Sequence, residues 1–211
     1  MNNPNSRSVT SHQSKLAAAR APAPRRPARR AIERSARSVD HPHLFATGPV
    51  QGSRTRIAVV RAHGEWHVQA LQPLVEGELI LPLEGELVAK PSRHSVQVDE
   101  GLHVEIPEGE LPDFERVFDL YPWRFLNHSC APSARVQGRE LLATRSISAW
   151  EEITFDYNTT EEAMASPFVC RCGHCGGRTI GGFGLLSPAD QERLRPNLAP
   201  HLLRRLARPP G

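Results

Sequence analysis

Every cysteine of this 211-residue chain lies between positions 130 and 175: Cys130 stands alone, and Cys170, Cys172 and Cys175 follow within six positions. No other feature constrains the fold as tightly, because thiolates that share a metal ion must converge on it from wherever the chain carries them. A structural zinc takes four Cys or His ligands in a tetrahedron, with Zn–S about 2.3 Å, so the late trio needs one more. Cys130 is the remaining cysteine, and His174 is the local rival. Spacing alone leaves both open, together with buried reduced thiols that hold no metal. The loop between Cys172 and Cys175 contains just Gly173 and His174, a Cys-x-x-Cys spacing common at zinc.

The length and a hydrophobic content of 39% suit one ordinary core with tails. No run of eighteen apolar residues occurs, and no charged-then-apolar signal segment opens the chain, so neither a membrane nor secretion is expected. An intracellular, reducing setting follows, cytoplasmic or nuclear or nucleoid, in which close-set cysteines are metal ligands more often than disulfides.

Charge is distributed unevenly. Residues 1–40 carry a net +7, against +3 for the whole chain, which leaves the remainder at −4. The segment 1–54, rich in Arg, Ser and Pro, lacks hydrophobic periodicity and is expected to be a disordered tail. Three readings of it stand open: a solvated tail, an arm that binds nucleic acid through phosphates, and an organelle-targeting segment.

Beyond Thr55 the texture is one of short alternating runs, at 56–60, 66–70, 78–81, 86–89, 95–98 and 102–106, separated by His63-Gly64, Glu76-Gly77, Glu84-Gly85 and Glu100-Gly101. That pattern predicts strands in small sheets, with a later hairpin, 133–137 and 140–143, turning at Gln137-Gly138. Phe114, Val117 and Phe118 predict one short helix between the strand groups. Ser187-Pro188-Ala189-Asp190 reads as a helix start, with a serine N-cap and proline at the first helical position. Leu194, Leu198, Leu202 and Leu206 form a stripe that packs on the domain, interrupted by Pro196 and Pro200.

Two further strings complete the reading: Arg124-Phe125-Leu126-Asn127-His128-Ser129-Cys130 and Glu152-Ile153-Thr154-Phe155-Asp156-Tyr157. With the late cysteines they resemble the SET-domain protein lysine methyltransferases that carry a post-SET zinc motif. The resemblance covers about 55–183 and implies a mainly β fold, the β-clip, in which two motifs cross in a pseudoknot. It divides the chain into a SET domain at 55–160, a post-SET zinc-binding segment at 166–183 and a C-terminal helical extension at 187–207.

The resemblance also implies an S-adenosylmethionine-dependent transfer of methyl groups to a protein lysine. By it, Trp66, Arg124, Asn127 and His128 line the donor pocket with Tyr157, Tyr157 is catalytic, and Phe155 and Tyr157 form the lysine channel. Phe155, where the family carries Phe or Tyr, leaves room for di- or trimethylation. Zinc falls to Cys130, Cys170, Cys172 and Cys175, and the partner is a lysine-bearing protein or peptide, histone-like among the candidates. Three departures accompany the match: Glu65 and His67 replace the glycines of a Gly-x-Gly turn, Leu120 and Tyr121 replace Gly-Asn, and the flap loop is two residues short. The glycine losses motivate an alternative, a catalytically silent SET-like zinc module that binds a peptide or nucleic acid.

Overall fold

The computed structural model of the chain describes residues 56–208. The Arg-rich segment 1–54, with its nucleic-acid and targeting readings, lies outside them.

Strands predominate. β1 (Ile57–Ala62) and β2 (Glu65–Ala70) form a hairpin in register from Ile57 opposite Ala70 to Ala62 opposite Glu65. Its two-residue turn puts both His63 (φ 53°) and Gly64 (φ 86°) at positive φ, the twist-matched geometry that favours glycine at the second position. β3 (Leu79–Pro82) pairs with β9 (Glu140–Ala143), which pairs in turn with β8 (Ala134–Gln137). β4 (Glu86–Val88), β6 (Leu102–Glu105) and β5 (Val96–Asp99) make a second three-stranded sheet in the order β4-β6-β5.

The helix α1 (Phe114–Leu120) is capped by the Asp113 side chain, which accepts from the Arg116 amide. It buries Val117 and Phe118 and leaves the Phe114 ring exposed. Next come the two-residue strand β7 (Asn127–His128) and then β10 (Glu152–Phe155). β10 runs antiparallel to β2 and parallel to β7, completing the sheet β1-β2-β10-β7. The parallel pairing sets Thr154 beside Asn127 and Phe155 beside His128, the juxtaposition that a crossing of these two motifs calls for.

A core of Ile, Val and Leu from all three sheets closes around Trp123, whose indole N–H donates to the Glu84 carbonyl at 2.9 Å. A buried indole retains its stability only when that donor is satisfied.

The C-terminal part carries the short pair β11 (Phe168–Val169) and β12 (Thr179–Ile180), then α2 (Pro188–Leu194) and α3 (Pro200–Leu206). Ser187 caps α2 by accepting from the Asp190 amide at 3.2 Å, and Pro196 and Pro200 divide the helical stretch as proline must. Leu194, Leu198 and Leu202 bury against Phe183 to form a second apolar cluster. Among the hydrogen bonds that tie this extension to the domain, the Ala199 amide donates to the Thr159 carbonyl at 2.8 Å, and His201 Nε2 lies 2.7 Å from the Thr160 carbonyl. Among the described residues no helix is long and apolar enough to cross a membrane.

Candidate active site and cysteine cluster

Parallel pairing with β10 gives Asn127 and His128 their place. The Asn127 amide donates to the Trp66 carbonyl at 3.1 Å and to Glu152 Oε1 at 2.9 Å, so one side chain links β2, β7 and β10. His128 Nδ1 accepts from the Tyr157 amide at 3.2 Å. Burial holds this imidazole well below its usual pKa, at about 4, so it is neutral near pH 7 and the nearby Asp156 carboxylate makes no ion pair with it. With Nδ1 accepting, the ring proton resides on Nε2, which points at Cys130 Sγ 3.3 Å away.

Tyr157 follows β10 directly and is boxed by aromatic rings. The centroids of Phe155, His128 and Phe168 lie 4.8, 5.2 and 6.0 Å from its own. Its hydroxyl donates to the Leu126 carbonyl at 2.7 Å. Burial, reinforced by the charges of Glu152 and Glu161, raises its pKa far above the ordinary phenol value. The group is therefore a fixed hydrogen-bonding hydroxyl at neutral pH.

Phe155 and Tyr157 line an open cleft whose walls include Val96, Trp123, Leu126 and Glu161. Arg124 also lies on this cleft, with Nη1 3.6 Å from Glu105 Oε1. The expected donor-pocket residues are thus divided: Asn127 meets the Trp66 backbone, whereas Arg124 stands on the Tyr157 side. The Trp66 indole packs at a tilt against Phe118 and Phe125, at 4.7 and 6.0 Å, with the Arg61 guanidinium 5.6 Å from its ring centroid.

Glu65 and His67 occupy β2 without positive φ, so extended backbone accommodates both without glycine. Glu65 is exposed and His67 buried. Leu120 ends α1, and Tyr121 turns into the core to donate its hydroxyl to Glu110 at 2.9 Å.

The cysteines converge. The sulfurs of Cys130, Cys170, Cys172 and Cys175 lie within 4.8 Å of one another, and those of Cys130 and Cys170 are 4.0 Å apart. Tetrahedral thiolates around zinc would stand about 3.8 Å apart, so the four fit one ion with little movement. Cys130, and not His174, is therefore the fourth member; His174 contributes its amide, which donates to Cys172 Sγ at 3.5 Å. Gly173, at φ 79°, lets the shortened loop turn.

Burial raises the thiols of Cys130 and, to about 11, Cys170. Burial also opposes ionisation of Cys172, but the amides of Cys130 and His174 outweigh it and hold that thiol at about 6. Four thiols this close cannot all ionise beside one another without a cation, and a divalent one would supply the charge they lack.

The sequence reading missed Glu161 and Gln97, which meet beside the cleft. The Gln97 amide donates to Glu161 Oε1 at 2.7 Å, and Gln97 Oε1 accepts from the Glu162 amide at 2.8 Å. The spacing of four residues from Tyr157 to Glu161 was the available signal.

Residues 65–158 match the family model of the SET domain. Over that segment, a little under half of its length, the chain is similar to SET-domain proteins. A "Histone-lysine N-methyltransferase, H3 lysine-36 specific" of Yarrowia lipolytica is 31% identical over 121 residues, 50% of this chain and 15% of its own length. "Histone-lysine N-methyltransferase ash1" of Drosophila melanogaster is 31% identical over 133 residues, 56% of this chain and 6% of its own. A solved structure of KRYPTONITE in complex with mCHG DNA and SAH aligns at 21% identity with a TM-score of 0.44, covering 59% of this chain and 28% of that one.

Proposed function

We propose that this chain transfers methyl groups from S-adenosylmethionine to a lysine side chain of a protein. The observation that carries the reading is the Tyr157 hydroxyl. It is half-buried, protonated and bonded to the Leu126 carbonyl, on a cleft with Phe155 and immediately beside the Asn127-His128 strand.

A free lysine has a pKa of about 10.4 and reaches the cleft as an ammonium, which cannot attack a methyl group. Enclosure by Trp123, Leu126 and Phe155 disfavours that charge, and the Tyr157 hydroxyl with the Leu126 carbonyl offers polar atoms that align the amine. Phe155 brings no hydroxyl to crowd the nitrogen, which suits more than one round of methylation. The donor, when bound, supplies a methyl group on a positively charged sulfur. Asn127, His128 and the backbone at Trp66 are the groups that would hold it, and the four cysteines would hold one zinc ion. The relatives' names point to a histone-like substrate, and the net −4 outside residues 1–40 suits a basic one.

A second reading, a silent zinc-bearing binding module, draws on Glu65 and His67 in place of glycines and on an Asn127 amide already committed to Trp66 and Glu152. Calorimetry with S-adenosylmethionine on zinc-loaded protein separates the two. Donor binding followed by labelled transfer supports the enzyme, and no heat at high micromolar donor supports the module. Tyr157→Phe should lower transfer about 10²-fold, and an unchanged rate would remove Tyr157 from this role.

A further inference from the structure

The cleft contains a carboxyl that no sequence motif announced. The Glu161 amide donates to the Tyr157 carbonyl at 2.9 Å, one α-type turn, which returns its side chain to the face that carries Tyr157. Glu161 is the one carboxyl among the described residues that line the cleft. It is 7% exposed. Oε1 accepts from the Gln97 amide at 2.7 Å and lies 3.4 Å from the Thr160 hydroxyl, while Oε2 faces His103 Nε2 at 3.7 Å.

The surroundings leave this carboxyl without a counter-charge. His103, on β6, is held below its usual pKa by burial and by His201, so it is neutral near pH 7. His201, on α3, reaches the Thr160 carbonyl and is lowered by burial as well. Arg93, Arg124 and the exposed His94 lie elsewhere on the cleft; Arg124 is engaged by Glu105, and His94 is lowered by burial and by both arginines. Burial accordingly lifts the Glu161 carboxyl to about 7, against the pull of the Gln97 amide.

An ammonium entering this cleft must shed a proton before it can act as a nucleophile. Tyr157 cannot take it, since its phenol is already protonated and its hydroxyl is engaged by Leu126. We propose that Glu161 accepts the proton of the substrate lysine, directly or across one water. This rests on the methyltransferase reading above. The Nζ–H bond breaks and an Oε–H bond forms, leaving a neutral amine and a neutral carboxyl. The amine lone pair then forms the N–C bond as the methyl leaves sulfur, which keeps the C–S electron pair. Glu161 afterwards gives its proton to water at the mouth of the cleft. A carboxyl poised near the working pH suits both the uptake and the release.

The test uses the full zinc-loaded chain, labelled S-adenosylmethionine and whole-cell extract proteins as acceptors, comparing wild type with Glu161→Gln from pH 6.5 to 10. The amide is isosteric and still accepts from Gln97. Transfer at pH 7 is expected to fall about 10²-fold, with the deficit closing as solvent deprotonates lysine toward pH 10. A deficit that is the same at every pH, or a variant within about threefold of wild type, overturns the role. Carbon-13 NMR of glutamate-labelled protein reads the group without turnover: one carboxyl titrating near neutrality and absent from the variant supports it, and a Glu161 signal titrating below about 5 overturns it. Wild type that labels no protein overturns the methyltransferase reading and this role with it. Wild type that labels a protein as well as the variant does overturns the role of Glu161 alone.

Discussion

Removing the charge of Glu161 should make the protein more stable at mildly alkaline pH. The carboxyl sits at about 7 in the fold against an ordinary 4.5, so the folded state holds the proton more tightly than the unfolded chain does. The sign follows. Its contribution is fully present below pH 4.5, is lost as pH rises toward 7, and stays lost above. At about 1.4 kcal/mol per pKa unit, the gap corresponds to about 3 kcal/mol between pH 4.5 and pH 8. Glu161→Gln keeps the acceptor for the Gln97 amide and cannot ionise, so it should match wild type near pH 5 and exceed it by up to about 3 kcal/mol at pH 8. Urea unfolding of both proteins at pH 5, 6, 7 and 8 reads this difference directly. Comparing variant with wild type cancels the pH dependence of metal retention, and His103 and His201 remain neutral over the upper half of the range. If the two stability curves ran parallel to within about 0.5 kcal/mol, the argument that Glu161 is a buried, uncompensated acid would be refuted.

Cys130→Ser should leave the protein with less than one zinc per chain by elemental analysis and release the ion faster to a chelator; full occupancy would exclude Cys130 as a ligand. Trp150 is 63% exposed and sits at φ 69°, a left-handed conformation that costs a non-glycine residue about 1–2 kcal/mol. Trp150→Gly should therefore stabilise by about 0.5–1 kcal/mol after the entropy of glycine is subtracted, and a lower melting temperature would count against the strain. Leu202 is 1% exposed in the cluster with Phe183, so Leu202→Ala should cost about 2–5 kcal/mol; a loss under about 1 kcal/mol would mean the stripe is loosely packed.

Strands with local partners were plain in the sequence. The apolar runs read at 56–60 and 66–70, with His63-Gly64 between them, overlap the observed hairpin strands 57–62 and 65–70 because pleat and turn act over neighbouring residues. Ser187-Pro188 and the leucine spacing marked the C-terminal helices for the same local reason. β7 was different. Two residues have no periodicity, and their partner in β10 lies more than twenty residues away. The cysteine count left Cys130 and His174 as rivals for the fourth place beside the late trio, and only tertiary convergence brings the Cys130 sulfur there. Glu161 remained hidden inside Thr159-Thr160-Glu161-Glu162, which reads as a polar loop. Its inward aim depends on the turn from Tyr157 and on Gln97, which occupies a strand interior where an apolar side chain would be the ordinary choice.

The bonds from Ala199 to the Thr159 carbonyl and from His201 to the Thr160 carbonyl bear on where this domain can be cut. The segment that matches the family ends at position 158, one residue before the first of those carbonyls. A fragment trimmed to that segment would lose both donors, the Gly182 amide that donates to Asn158 Oδ1, and the leucines that cover Phe183. The segment that matches the family and the part that must be expressed together to fold differ here by the whole stretch from 159 through α3, which carries Cys170, Cys172 and Cys175 as well as both helices. The smallest fragment fit for crystallisation or grafting runs through Leu206.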